Sequence, residues 1–138
     1  MNLSSIEALT ILQKSTNKLE HRVLFLPEFE QDALQLDEKF KTIGNDLMVF
    51  IDVGLKLYHD LNLENDSIKL LKDLKIKNAK VYETVKFACR SLKGKGANSG
   101  IKIVYAHFED EKRIELIEIY YKDDKENIDR KRILKYYN

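Results

Sequence analysis

Apolar residues in the first half of the chain recur at helical spacing. From Glu28, the segment EFEQDALQLDEKFKTI places apolar side chains three or four positions apart, at Phe29, Ala33, Leu36, Phe40 and Ile43. The segment NDLMVFIDVGLKLYHDL repeats this spacing with Leu47, Phe50, Ile51, Leu55 and Tyr58. This period is typical of helices with one buried face. Gly44-Asn45 between the segments is a helix-stop signal, so a pair of helices packed on a sheet is predicted.

Strand-like segments dominate the second half. Three segments are rich in β-branched and aromatic residues: VYETVKFACRSL (81–92), IKIVYAHF (101–108) and RIELIEIYY (113–121). The residues EDEK between the last two can form the turn of an antiparallel hairpin. An earlier strand, LEHRVLFL, ends at Pro27, and SIKLLKDLKIKNAK (67–80) stays unassigned. A charged C-terminal helix is predicted from Asp123 or Asp124, and an amphipathic helix over residues 1–20. The order (α)βααβββα indicates an α+β fold.

Length and composition favour one domain over residues 1–138. No apolar run approaches the roughly 18–20 residues of a membrane span, and the N-terminal segment lacks the basic start of a secretion signal. The single cysteine, Cys89, forms no intrachain disulfide, as is usual in a reducing cytosol. We therefore expect a cytoplasmic protein without a membrane partner.

Charge is distributed unevenly, although the net charge is only +1. Residues 1–66 carry 6 Lys and Arg against 12 Asp and Glu, whereas residues 67–138 carry 18 against 11. Within 84–108 five cations occur and no acid: Lys86, Arg90, Lys93, Lys95 and Lys102. A one-sided basic region concentrates polyanions, although a solvated lysine surface has the same composition.

The loop SLKGKGANSGIKIVY (91–105) fails the tests for a nucleotide-binding motif. Gly94, Gly96 and Gly100 space as GxGxxxG, and no glycine pair five apart precedes Lys-Ser or Lys-Thr. Both phosphate motifs also need a helix next, whereas a strand follows here. What remains is a flexible basic connection, which is either a phosphate-binding lip or an ordinary soluble hairpin loop.

Other candidate chemistry is sparse in the sequence. His21, His59 and His107 show no metal-ligand spacing, so no metal site is predicted, and His107 on a strand is expected to be structural. Cys89 lies in an apolar segment and is expected to be a core residue instead of a nucleophile. The tyrosine pairs at 120–121 and 136–137 can stack on bases or serve the core. No cofactor is predicted.

The stretch LKGKGANSGIKIVYAHFEDEKRIELIEIYYKDDKENI resembles the RelE/ParE superfamily of toxins, nearest to its RelE/HigB-like branch. That branch has a glycine-rich basic loop running into a strand, an acidic turn, an apolar strand and a Y-x-K-x-x-x-x-D/N-L/I ending. The matching positions are Gly94, Gly96, Gly100, Lys102, Ile103, Val104 and Tyr105, then Tyr120, Lys122, Asn127 and Ile128. The resemblance covers residues 21–130 and implies a two-helix hairpin on a small antiparallel sheet.

The resemblance also implies a function, which is mRNA cleavage at the ribosome by a toxin that a separate antitoxin neutralises. By correspondence, Lys102, Lys122 and Arg90 would stabilise phosphate charge, while Lys86, Lys93, Lys95 and Tyr121 would bind RNA. A lysine or Tyr121 could serve as the general base.

The chain departs from the family pattern at two places. Lys102 stands where the family has arginine, and Ala97-Asn98-Ser99 replaces a segment that usually contains lysine. These departures keep open a non-catalytic binding protein, either ParE-like or a degenerate RelE fold. A basic α+β domain without a toxin role is a third possibility.

Overall fold

The computed structural model describes residues 20–137, which form five strands and three helices. These are β1 (Arg22–Phe25), α1 (Pro27–Lys39), α2 (Ile43–Val49) with a π-helical continuation (Phe50–Asp60), β2 (Ile68–Leu70), β3 (Lys80–Thr84), β4 (Ile101–Phe108), β5 (Arg113–Tyr121) and α3 (Arg130–Tyr137). The α+β class is thereby confirmed. The predicted helix over residues 1–20 lies outside the described residues, apart from Glu20.

The five strands form one mixed sheet in the order β1-β5-β4-β3-β2. β1 runs parallel to β5, and all other pairs are antiparallel. The sheet is therefore larger than the small antiparallel sheet expected from the sequence. One added strand, β2, comes from the unassigned segment 67–80. β1 becomes the parallel edge because the helix pair carries the chain away before β5 returns beside it.

Helices cover both faces of the sheet. On one face, α1 and α2 bury a core that includes Phe29, Leu47, Leu55, Ile103 and Leu116. On the other face, α3 and the segment after β2 cover a smaller core that includes Leu74, Val104, Ile117, Ile133 and Tyr137. Alternation along β4 sends successive side chains to opposite faces, which explains why this strand is almost wholly buried.

A β-bulge in β5 adjusts which side chains reach the α3 face. Val104 pairs with Glu118, but Tyr105 pairs with Leu116, so that Ile117 is the extra residue. Ile117 joins the smaller core, while Glu118 binds Lys125 and accepts the N–H of Asp129 at 2.8 Å. The bulge thus anchors the segment that leads into α3.

Three predicted boundaries differ from the structure. Strand β3 ends at Thr84 instead of Leu92, because later backbone groups bond to side chains: Ser99 donates to the Phe87 carbonyl, and Asp46 accepts the Arg90 N–H. Gly44-Asn45 lies in the first turn of α2, since α1 already ends at Lys39. Finally, α3 begins at Arg130 instead of at Asp123 or Asp124. Asp129 is its N-cap, since its carboxylate accepts the N–H of Arg132.

The second helix widens after Val49. The N–H of Leu61 donates to the carbonyl of Lys56, five residues earlier, at 3.0 Å, which is the π-helical pattern. π-Helical segments are rare in proteins, and those that occur are often found at functional sites. This one ends with His59 and Asp60, which belong to the second site described below. Within residues 20–137, no helix is long and apolar enough to cross a membrane.

Candidate functional sites

A groove of about 800 Å³ lies between the sheet and the segment leading into α3. We call it the C-terminal groove. It is lined by Leu71, Glu83, Lys102, Tyr120, Lys125, Glu126, Asn127, Ile128, Asp129, Arg130 and Lys131. Lys102 on β4 is the direct register partner of Tyr120 on β5. Lys102, Tyr120, Asn127 and Ile128, which belong to the resembling motif, therefore share one concave surface.

Acidic partners offset part of the positive charge in this groove. The Tyr120 hydroxyl donates to Glu83 at 3.0 Å, and burial together with this carboxylate raises the tyrosine pKa. The ammonium of Lys125 pairs with buried Glu118 and lies 5.4 Å from the Tyr120 ring centroid. The groove therefore offers ammonium groups, a protonated phenol and a carboxylate side by side. This set can bind a phosphate and exchange protons near it.

Two other residues predicted to stabilise phosphate lie outside the groove lining. The Arg90 Nε donates to buried Asp46 of α2 at 3.1 Å, so Arg90 is held by the helix layer on the opposite face of the sheet from Lys102. Lys122 follows the end of β5, where its N–H donates to the Gly100 carbonyl at 2.8 Å. The structure thus places Lys102, Arg90 and Lys122 in three different surroundings.

The predicted RNA-binding residues are likewise spread out. Lys93 and Lys95 are exposed in the loop before β4, and Lys86 pairs with Asp66 at 2.6 Å. Tyr121 packs edge-on against Phe40, with the ammonium of Lys39 5.6 Å from its ring centroid. The hydrogen bond between Tyr121 and Asp123 raises the pKa of this tyrosine, which disfavours it as a general base at neutral pH.

The glycines of the loop before β4 have the left-handed conformations that the sequence suggested. Gly94, Gly96 and Gly100 have φ values of +80°, +56° and +85°. At Gly100 a Cβ would also lie 3.4 Å from the ring of Tyr121. Glycine there lets the backbone pass against the end of β5 and turn directly into β4.

A second site, which we call the histidine cleft, brings all three histidines of the chain together. It has a volume of about 390 Å³ and is lined by Glu20, His21, Tyr58, His59, Asp60, Asn62, Glu64, Lys80, Tyr82, His107, Glu109 and Lys112. Asp60 Oδ1 lies 2.5 Å from His21 Nδ1, and His21 Nε2 lies 2.9 Å from His107 Nε2. His59 Nε2 lies 2.7 Å from the hydroxyl of Tyr105.

Two imidazoles of this cleft, those of His59 and His107, have lowered pKa values. Burial lowers the pKa of His59 to about 3, and the neighbouring His107 contributes to the decrease. Burial and the adjacent His21 lower the pKa of His107 to about 4. The rings of His59 and His107 lie 4.1 Å apart between centroids, so charging either one would require a desolvated cation beside another imidazole.

No signal in the sequence marks this cluster, because His21 and His107 are 86 positions apart and His21 and Asp60 are 39 apart. The histidine on β4 was expected to be structural, and spacing between residues cannot report such contacts. Among residues 20–137, no group of three or more His, Cys, Asp or Glu side chains has a geometry that could hold a metal ion. The cluster is therefore a hydrogen-bonded one in this structure.

Buried Cys89 is part of the packing, as the sequence indicated. It belongs to the larger core, and its burial raises the thiol pKa, which disfavours a reactive thiolate. Comparison of the chain with protein-family models, with curated proteins and with solved structures finds no match in any of the three.

Proposed function

We propose that the protein is an endoribonuclease toxin that binds RNA in the C-terminal groove. The observation that carries the proposal is the convergence of Lys102, Tyr120, Asn127 and Ile128 on this groove. These residues span 27 positions of sequence and all belong to the motif that resembles RelE/HigB-like toxins. The two-helix hairpin packed on the sheet also agrees with the arrangement that the resemblance implies.

The chemistry of the groove suits cleavage of RNA by its own 2′-hydroxyl. In this reaction the 2′-oxygen attacks the adjacent phosphorus and the 5′-oxygen leaves. Lys102 stabilises the negative charge that develops on the phosphate oxygens. Glu83 accepts the proton of the 2′-hydroxyl, and Tyr120, which is protonated at neutral pH, gives its proton to the leaving oxygen. The proton on Glu83 then passes to the Tyr120 oxygen, 3.0 Å away, which restores both groups. Lys125 and Lys131 extend the cationic surface along the strand of RNA.

Arg90, Lys93, Lys95 and Lys122 contribute charge outside the groove under this proposal. They attract the RNA backbone and steer it toward the groove, a long-range effect that salt screens. Lys86 acts in the same way, although its pairing with Asp66 reduces its contribution. The partners of the protein are then mRNA, the ribosome and a cognate antitoxin that blocks the groove.

Cleavage of a defined mRNA by the purified chain, with and without ribosomes, tests the proposal. Primer extension should reveal new 5′ ends, and Lys102→Ala should reduce their formation by about 10²–10³-fold, the typical effect of removing one group that stabilises transition-state charge. Lys41→Ala, which removes an exposed cation between α1 and α2 that does not line the groove, is the matched control. Absence of new ends with the unaltered chain under both conditions would refute the proposal.

A non-catalytic binding protein is the second candidate, and one surface favours it. Apolar residues recur every four positions along the second helix and its end, at Val49, Val53, Leu57 and Leu61. The exposed fractions of these residues are 56%, 51%, 39% and 52%. An apolar stripe of this kind suits a partner helix. If growth arrest on expression is lost in Val53→Asp but retained in Lys102→Ala, contact with a protein target explains the toxicity better than cleavage.

A further inference from the structure

A lysine-rich segment begins on the edge strand β2 and continues toward β3. We call residues 69–77 the lysine segment, because it contains four lysines and a single acid: Lys69, Lys72, Lys75, Lys77 and Asp73. All five of these residues are exposed. None of the four lysines lines the C-terminal groove or the histidine cleft, so neither site accounts for them.

Apolar side chains hold the lysine segment on the α3 face of the sheet. Leu74 is buried in the smaller core, and Leu71 and Ile76 pack against that core. The lysines after β2 lie between these apolar residues in the sequence and are exposed, so the anchored apolar side chains leave the ammonium groups in solvent. The segment therefore presents positive charge at a defined place, although it has no regular secondary structure after Leu70.

The lysine segment adjoins the C-terminal groove at three points. Leu71 lines the groove itself. Asp73 pairs with Arg130, which also lines the groove, at 2.9 Å between Oδ2 and Nη1. Lys69 is the register partner of Glu83, a third residue of the groove lining, and paired residues lie on the same face of a sheet. A strand of RNA that leaves the groove past Leu71 therefore reaches the lysine segment next.

The charges of the lysine segment favour a chain of anions. Its acid, Asp73, is already paired with Arg130, and the neighbouring Asp66 is paired with Lys86 at 2.6 Å. Among residues 20–137, none of the four lysines of the segment forms an ion pair. Successive uncompensated ammonium groups attract a polyanion and match the repeated phosphates of a nucleic acid strand.

We propose that the lysine segment extends the RNA site and binds phosphates of a single strand just outside the C-terminal groove. This inference rests on the proposed function, because it takes RNA to lie in that groove. A groove of about 800 Å³ has the size of a small-molecule pocket, so it holds only a few nucleotides. The substrate is therefore a single strand that is long enough to continue from the groove onto Lys75 and Lys77.

Binding of 2′-O-methyl RNA to the full chain tests the proposal, because a methylated 2′-oxygen cannot attack the phosphate and the strand stays intact. The variant Lys75→Gly with Lys77→Ala removes two charges. Glycine suits position 75, where the backbone is left-handed with a φ of +55°. For a strand of about 10 nucleotides, the slope of log affinity against log salt concentration should become shallower by about 1.4, at about 0.7 for each lost phosphate contact. For a strand of about 3 nucleotides, which the groove alone accommodates, affinity should not change.

A matched control removes the same number of charges elsewhere. Lys112 also has a left-handed backbone, with a φ of +47°, and Lys41 is exposed; neither residue lines the groove. The variant Lys112→Gly with Lys41→Ala should therefore keep the salt slope and the length dependence of the unaltered chain. Urea unfolding of both variants checks that they fold, and neither should lose stability beyond the other.

The outcomes separate this proposal from the ribonuclease itself. An unchanged salt slope in the Lys75 and Lys77 variant, an equal change in the control, or no binding of either strand by the unaltered chain would overturn the role of the lysine segment. A chain that cleaves mRNA but keeps its full slope in this variant refutes the segment alone. A chain that binds 2′-O-methyl RNA through the segment but cleaves no mRNA refutes the ribonuclease alone.

Discussion

The C-terminal groove and the histidine cleft lie at opposite ends of strand β4, yet different forces hold their side chains. The groove is lined largely by charged groups near water, such as the exposed cations Lys125, Arg130 and Lys131. The cleft contains the imidazoles of His59 and His107, whose pKa values burial has lowered. Solvent therefore stabilises the charged groups of the groove, whereas burial disfavours the charged form of the imidazoles in the cleft.

The contrast between the two sites shows which kind of site a sequence can reveal. Lys102 and Tyr120 lie on paired strands joined by a short turn, so a local motif contains both of them. His21, Asp60 and His107 come from three separate parts of the chain. The two sites should therefore respond differently to mutation and to pH.

The largest expected loss of stability comes from removing the Arg132 side chain, which ties α3 to α1 and to β5. Arg132 donates to Asp32 of α1 at 2.7 Å and to the carbonyl of Ile117 at 2.8 Å. Arg132→Ala leaves both acceptors without this donor, so the free energy of unfolding should fall by about 3 kcal/mol in urea titrations. Lys135→Ala, which removes an exposed pair with Glu28, should cost less than about 1 kcal/mol. Equal losses of stability in the two variants would show that the contacts of Arg132 contribute no more than an exposed ion pair.

The cleft should make stability dependent on pH in the mildly acidic range. His59 and His107 have folded-state pKa values of about 3 and about 4, below the ordinary 6.5. Below pH 6.5 the unfolded chain binds protons that the folded chain does not, so stability falls as pH falls toward the folded-state values. Between pH 6 and pH 5 the loss should be about 2–3 kcal/mol in urea unfolding.

A matched pair of variants assigns this pH dependence. His59→Gln should roughly halve the slope between pH 6 and pH 5, since one of the two titrating groups is gone. Lys102→Ala, in the groove, should leave the slope unchanged. A slope that persists in full after His59→Gln would trace the effect to carboxylates elsewhere in the molecule.

A smaller effect is expected from the hydroxyl that supports His59. Tyr105→Phe removes the oxygen that lies 2.7 Å from His59 Nε2 in a fully buried position and keeps the ring. Thermal or urea unfolding at pH 7 should show a loss of about 1–2 kcal/mol, the cost of leaving one buried polar group without a partner. Tyr136→Phe, on an exposed part of α3, is the control and should change stability by less than about 0.5 kcal/mol.

The smallest effect on stability is expected at an exposed ion pair outside both sites. Lys86→Ala breaks the pair with Asp66, and both side chains are well exposed, so stability should change by less than about 0.5 kcal/mol. RNA affinity should fall uniformly across sequences, with a shallower salt dependence, if Lys86 contacts phosphate. An unchanged salt dependence in filter-binding or fluorescence titrations would remove Lys86 from the RNA-binding surface.

Much of the fold follows from local patterns that the sequence displays. The helical spacing of Phe29, Ala33 and Leu36 and the β-rich segments 101–108 and 113–121 predict elements that the structure contains. Pro27 ends β1 and begins α1, as its fixed φ and missing N–H allow. Predicted boundaries were wrong where backbone groups bond to side chains instead of to a neighbouring strand. Beyond the end of β3, for example, Asp46 accepts the N–H of Arg90.

The helix pair, the main strands, the basic second half and the motif around Lys102 are visible in the sequence, because each depends on neighbours within a few residues. The parallel pairing of β1 and the meeting of His21, His59 and His107 appear only in the folded chain. The reason is physical, since β1, the end of the π-helical segment and the end of β4 become neighbours only after both helices and the sheet have packed. Burial then sets the proton chemistry of residues that look unremarkable one at a time.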